Sequence, residues 1–192
     1  MDAETAAPGR VHGALVEVAG VGVLLLGGSG IGKSECALEL VMRGHRLVAD
    51  DVVLVARDAE GRLSGSSPEM VRHFIELRGI GIVHVPSLFG ARAVRERTTI
   101  DLVIELEAWG VREVERTGLD RHTTTLAGVE LATLRLPVAP GRNVASLVEV
   151  AARNLLLQRA GRSSAEDLEE RVSRSLQAKD RRERGGEASG EK

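Results

Sequence analysis

The chain is 192 residues long, 43% hydrophobic and 28% charged, with a formal charge of −2, the balance of one soluble globular domain with an ordinary core. That charge gives no basic field for nucleic acid or acidic lipid, and two Phe, one Trp and no Tyr leave no platform for stacking bases. The single cysteine, Cys36, excludes an internal disulfide, no Cys/His cluster has zinc spacing, and no apolar run nears the roughly 20 residues that cross a bilayer.

Residues 1–10, MDAETAAPGR, are acidic and have no apolar signal core, so a disordered leader and a cytoplasmic location are expected. VHGALVEVAG and VGVLLLGG read as two short strands, with Gly20 and Gly22 allowing the turn between them. The second is apolar throughout from Val23 to Leu26, as a strand covered on both faces should be. A glycine-rich loop follows, then a helix over SECALELVMRG with Ala37, Leu38, Leu40 and Val41 on one side and Gly44 as its stop. HRLVAD and DVVLVARD are the next strands, with a turn through Asp58 to Gly61. A Ser/Gly/Pro segment leads to HFIELRGIGIVHV, a polar stretch near Phe89 to Thr99, and the strand IDLVIELE at 100–107. A loop with Arg116, Gly118 and Asp120 precedes a short strand near Leu134 to Val138. Leu147, Val150, Ala151, Leu155 and Gln158 recur at helical spacing from Asn143 to Arg159, and Leu168, Val172 and Leu176 mark a second helix. The mixture indicates an α/β domain over 11–161, a helix over 162–178 and a disordered tail over 179–192.

The loop Gly27-Gly28-Ser29-Gly30-Ile31-Gly32-Lys33-Ser34 satisfies G-x-x-x-x-G-K-[ST] at every fixed position, between an apolar strand and an amphipathic helix. Glycines let successive backbone N–H groups converge on an anion, and the helix directs its unpaired N–H groups and positive end at the same point. Lys33 is expected to reach the β- and γ-phosphates of a nucleotide, and Ser34 to offer its hydroxyl to Mg²⁺. The loop alone names no acceptor; a nucleotide-sensing regulatory module and a small-molecule kinase share it.

Asp50 and Asp51 end the strand HRLVA, where open α/β sheets bind ligands. Adjacent strand residues face opposite ways, so one carboxylate is free to accept a proton while the other holds a metal-bound water or a structural partner. Glu76, amid Phe74, Ile75 and Leu77, is either on the solvent face of an edge strand or an oxygen ligand for Mg²⁺; Arg78 is equally open. His12 is a packed or surface residue or a catalyst. PVAPGR at 137–142 is a rigid connection or a cationic phosphate loop at a helix start.

His12-Gly13, GGSGIGKSE, RGHRLVADD, ELRGIGI, GARAVR, ERTGLD and PVAPGRN, in that order, resemble the catalytic domain of the HPr kinase/phosphorylase family from about residue 11 to 161 and on toward 178. The resemblance implies a P-loop-containing kinase domain of the HPr kinase/phosphoenolpyruvate carboxykinase-like type. It implies that Lys33 and the loop bind ATP or pyrophosphate, that Ser34 and Glu76 ligate Mg²⁺, and that Asp50 is the proton acceptor, and donor in reverse. His12 and Arg116 would complete the catalytic set, ELRGIGI would serve both directions and PVAPGR dephosphorylation. The implied partner is HPr, phosphorylated on serine and dephosphorylated by phosphorolysis, and the implied assembly is a hexamer. Gly28 and Arg92 depart from the family pattern, which favours an acidic and a small residue there. With about ten residues ahead of His12, a short form without the family's N-terminal domain is the expectation.

Overall fold

The structure, a computed structural model, describes residues 9–111, 122–162, 164 and 167–175. The leader at 1–8, the tail at 179–192 and the ERTGLD segment with Arg116 lie outside the described residues. Gly9 and Arg10, expected in the leader, open β1 (Gly9–His12).

A six-stranded sheet carries the fold, in the order β11-β12-β10-β3-β2-β4. Its strands are β2 (Ala14–Val18), β3 (Val21–Gly27), β4 (Arg46–Ala49), β10 (Leu102–Ala108), β11 (His122–Leu126) and β12 (Val129–Val138). β3, β10 and β12 are mutually parallel, and β2 runs antiparallel to both β3 and β4. Two reversals therefore leave β4 running with β3, and the ends of both strands reach one rim of the sheet.

Both faces of this sheet are covered. Ala14, Val16, Val18, Val23 and Leu25 pack with Ala37 and Leu40 of α1 (Lys33–Met42) and Val148 and Ala152 of α3 (Val144–Arg159). Leu15, Leu24 and Val103 face the other way, onto Val53, Val55 and Leu63. Those residues belong to a second, antiparallel sheet of β1, β5 (Val52–Arg57), β6 (Leu63–Ser66) and β9 (Arg97–Thr99). Three layers result, which is why β2 is buried at all five positions and shows no polar alternation. α1 and α3 are tied at their polar edges, where the Asn143 side chain caps α3 by accepting from Ser146 N–H at 2.8 Å and donates to Glu39 at 2.8 Å.

β7 (Phe74–Leu77) and β8 (Gly81–His84) form a separate hairpin, so HFIELRGIGIVHV is two strands around a glycine turn. Its inner residues Ile75 and Leu77 join the main core. A short helix α2 (Val85–Phe89) follows. Residues 164 and 167–175 are helical, with Leu168 and Val172 in solvent.

β6, β9 and β11 were not expected, and β12 is longer than the segment Leu134 to Val138 suggested. LSGS, RTT and HTTTL are too polar to be recognised as strands and gain their order from pairing. The turn between β2 and β3 also differs from expectation. Ala19 (φ 51) and Gly20 (φ 85) make it, whereas Gly22 lies inside β3 under the chain entering β10. A Cβ there would fall 1.7 Å from the Thr99 carbonyl oxygen, and the Gly22 N–H donates to Asp101 at 2.9 Å.

At the rim opposite the glycine-rich loop, Glu17 is 4% exposed and accepts from Arg46, Arg95 and Thr98. Three strands, β2, β4 and β9, and the segment before β9 are thereby held on one carboxylate. Removing it leaves two guanidinium groups facing each other without a counter-charge. Glu17→Ala should cost about 2 kcal/mol, less than a fully buried pair because the arginines are half-exposed. The check is a thermal melt, with Tm lowered by roughly 4–8 °C and Glu17→Gln falling between the two.

Candidate active site

β3 ends at Gly27, whose φ of 143 turns the chain out of the sheet beside the β10 backbone; an added Cβ would meet the Leu106 carbonyl oxygen at 2.6 Å. Gly30 (φ 77) and Gly32 (φ 103) are left-handed, a region that side chains other than glycine rarely enter. Gly32 is the N-cap of α1 and offers no side-chain cap, so the first helical N–H groups point outward as an anion-binding end. Lys33 is buried, and its ammonium donates to the Gly27 and Gly28 carbonyls at 2.9 and 3.0 Å. The loop thus forms with its charge already drawn across its mouth.

Asp50 follows directly on β4 and is 7% exposed. Both its oxygens are occupied: the Ser34 hydroxyl donates at 2.9–3.0 Å, and the Glu76 N–H donates to Oδ2 at 3.2 Å. Burial pushes its carboxyl above the ordinary range, against the pull of the hydrogen bonds from Glu76 and Ser34. Asp51 sits in other surroundings. The Val52 N–H donates to the Asp50 carbonyl at 2.8 Å, closing a three-residue turn with Asp51 at its centre, φ 64. That left-handed turn is rare and strained for a residue with a side chain. It replaces the strand alternation expected for the pair, so both carboxylates line one cavity but meet different partners.

Asp51 is paired with His12, Nδ1 to Oδ1 at 3.1 Å, and the two side chains are 66% and 55% exposed. The register of β1 on β5 sets His12 opposite Val52, which is what brings the ring to Asp51. Glu76 on β7 lines the same cavity as Ser34. Arg78, left open by the sequence, reaches back over the loop: its guanidinium lies 3.3 Å from the Ser29 hydroxyl, close enough to Gly30 that an added Cβ would meet Nη1 at 2.6 Å. Nothing in the spacing of ELRGIGI relative to the loop announces that contact, which depends on the hairpin's docking.

The cavity measures about 130 Å³ and brings together His12, Ser29, Gly30, Gly32, Lys33, Ser34, Asp50, Asp51, Glu76 and Arg78. Gly27, Gly28 and Ile31 complete the loop without lining it. Arg116 lies outside the described residues. PVAPGR stands apart: Pro137 and Val138 belong to β12, and Arg142 stacks on Trp109 with its guanidinium carbon 5.4 Å from the ring centroid. Together with the Asn143 cap, this stack orders the segment at the start of α3. Cys36 is core packing; burial pushes its thiol up to about 12, which makes it inert.

The oxygens of Ser34, Asp50 and Glu76 are hard donors suited to Mg²⁺. Among the described residues no three His, Cys, Asp or Glu side chains cluster to hold a metal by themselves, and no helix there is long and apolar enough to cross a membrane.

Comparison with known proteins shows the family. Residues 3–172 match the model of the HPr Serine kinase C-terminal domain. The HPr kinase/phosphorylase of Geobacter sulfurreducens is 51% identical over 164 residues, covering 85% of this chain and 51% of the relative. That of Geobacillus sp. strain WCH70 is 48% identical over 178 residues, 92% of this chain and 57% of the relative. The chain spans about half the length of the curated relatives it matches. The solved structure of the Hpr(Ser) kinase/phosphatase from Coxiella burnetii superposes with a TM-score of 0.75 at 34% identity, covering 80% of this chain and 93% of that one. With its P-loop, its paired aspartates and its hairpin carboxylate in the arrangement described, the chain belongs to the HPr serine kinase C-terminal domain family.

Proposed function

We propose that this chain is a Mg²⁺-dependent protein-serine kinase and phosphorylase acting on an HPr-type carrier. In the forward direction the terminal phosphoryl of ATP, or of pyrophosphate, passes to the serine hydroxyl and the hydroxyl proton leaves to a base. In reverse, an oxygen of inorganic phosphate attacks the phosphorus of phosphoserine, the serine oxygen leaves and regains a proton, and pyrophosphate is the product. The observation that carries the reading is the convergence of the loop, the Ser34–Asp50 pair and the Asp51–His12 pair on one cavity. Assembly as a hexamer belongs to the same reading and is checked by light scattering.

Lys33, Arg78 and the N–H groups at the start of α1 bind and orient the polyphosphate. Four carboxylates, Glu35, Asp50, Asp51 and Glu76, line the cavity against the cations Lys33 and Arg78, so a polyphosphate would meet repulsion without added positive charge. Mg²⁺ would be held by Ser34 and Glu76 with Asp50 beside them, and would supply that positive charge. Phosphoryl transfer has a loose transition state, so positioning and charge account for most of the rate and the base needs little strength.

The resemblance implied Asp50 as that base; the surroundings of the two aspartates support moving the role to Asp51. Both oxygens of Asp50 are engaged on the metal side, by the Ser34 hydroxyl and the Glu76 N–H. Asp51 is open to an incoming hydroxyl, and His12 orients it. As the proton acceptor in one direction, Asp51 is the donor in the other. The raised carboxyl of Asp50 argues the opposite way, but burial is its cause, and a cation beside that carboxylate would lower it again.

Two measurements test these roles. With HPr of the source organism, Lys33→Ala should abolish ATP binding in calorimetry and phosphoserine formation together. Asp51→Asn should lower turnover by roughly 10²-fold or more while ATP affinity stays within about threefold, whereas Asp50→Asn should lose the Mg²⁺-dependent part of that affinity. Full turnover in the Asp51 variant would return the base to Asp50.

The raised Asp50 carboxyl also fixes a pH dependence. The folded chain binds that proton more tightly than the unfolded one, so its contribution to stability is present below the ordinary carboxylate value and is lost as pH rises through the raised value. In the ligand-free protein Asp50→Asn should therefore raise Tm at pH 7, and the gap should close as the pH falls toward about 4. Melts across that range without metal or nucleotide decide it.

A further inference from the structure

Of the four carboxylates that line the cavity, three have a partner or a role. Asp50 accepts from Ser34 and from the Glu76 N–H, Asp51 is paired with His12, and Glu76 stands on the metal side of the proposed site. Glu35 differs from all of them. It is exposed, and among the described residues its carboxylate has neither a hydrogen bond nor an ion pair. Glu39, one turn further along α1, is by contrast bonded to Arg43 at 2.6 Å and to Asn143 at 2.8 Å.

The place of this unpaired charge is what makes it informative. The Cys36 N–H donates to the Gly32 carbonyl at 2.9 Å, so the N–H groups ahead of it, on Lys33, Ser34 and Glu35, are left for a ligand. Glu35 therefore offers a phosphate its backbone and opposes the same phosphate with its side chain. A first-turn carboxylate does stabilise a helix through the dipole, but Glu39 sets a like charge four residues on, which works against that gain. The opposition also depends on what enters. A divalent cation cancels part of the charge on a polyphosphate, so one carboxylate repels the metal-free form more strongly than the metal-loaded one.

Resting on the kinase reading above, we propose that Glu35 is a specificity-determining residue that keeps metal-free polyphosphate out of the cradle and reserves it for the metal-loaded donor. Backbone N–H groups and one ammonium would otherwise hold a bare polyphosphate readily. That complex would be unproductive, since it fills the site without the cation that phosphoryl transfer needs. Glu35 disfavours this competitor by its charge alone. It needs no contact with the reacting atoms to do so.

The test is calorimetry on the full chain with ATP and with pyrophosphate, each in excess Mg²⁺ and in a chelator, at low and at moderate salt. The variants are Glu35→Gln and the charge-conserving Glu35→Asp, and thermal melts verify that both fold. Glu35→Gln should tighten binding of the metal-free forms at least about tenfold and of the Mg²⁺ forms about threefold, so the preference for the loaded donor falls at least about threefold. Glu35→Asp should keep most of that preference, and the gap between Glu35→Gln and the wild type should narrow as salt is raised. With HPr of the source organism, ATP in excess over Mg²⁺ should inhibit Glu35→Gln at lower concentrations than the wild type. An unaltered preference with a lowered Tm makes Glu35 a helix-end charge and overturns the proposal. Weakened binding of the Mg²⁺ forms makes it a metal ligand and overturns it as well. Both outcomes leave the kinase reading standing, whereas a wild type that binds neither ATP nor pyrophosphate with Mg²⁺ overturns the cradle and this role together.

Discussion

One carboxylate joins the three parts of the site. Asp50 accepts from Ser34 at the start of α1 and from the backbone of Glu76 on β7, and it follows directly on β4. A two-stranded hairpin is marginal by itself in water, so the position of β7 and β8 depends on Ile75 and Leu77 packing inward and on this bond at its rim. Burying the carboxylate is unfavourable, as its raised proton affinity shows, and the hydrogen bonds only partly offset that cost. The arrangement is stable because the core beneath it is buried on both faces of the sheet, not because the site is comfortable.

The same economy separates the two aspartates. In a continued strand, Asp50 and Asp51 would project to opposite faces and one of them would leave the site. The left-handed turn at Asp51 keeps both at one cavity yet gives them unlike surroundings, one enclosed by donors and the other exposed beside His12. Local strain of this kind persists only where neighbouring structure over-determines it. Here the neighbours are the β1–β5 pairing on one side and the bond from the Gly13 N–H to the Asp51 carbonyl, 3.1 Å, on the other.

What could be read in advance follows from what each feature depends on. The phosphate loop was legible because its function is a backbone shape, and that shape demands glycine at fixed spacing. α1, α3 and the apolar strands β2, β3 and β10 were legible from periodicity, and Asn143 marked the start of α3. β6, β9 and β11 were not, since their residues are polar and become strands only by pairing with neighbours distant in sequence. The placement of Asp50 and Asp51 was misjudged for a related reason: alternation holds inside a strand, and β4 stops at Ala49, just before the pair. Arg78 was invisible as a loop contact because only the folded hairpin carries it to Ser29. Arg116 had its reading from resemblance and lies outside the described residues.

Preorganisation ties these observations to function. Gly27, Gly30 and Gly32 already hold the loop in its turned shape, with Lys33 drawn onto the Gly27 and Gly28 carbonyls. The conformational entropy of shaping that loop is lost during folding, where the buried strand β3 and helix α1 compensate it, and need not be lost again on binding. A phosphate oxygen has only to displace two carbonyls from one ammonium. The cradle is built from backbone groups and one ammonium, so on the reading proposed above ATP and pyrophosphate would be held by the same atoms. The exposed Asp51–His12 pair stands at the mouth of this cavity, beside the cradle and apart from its backbone.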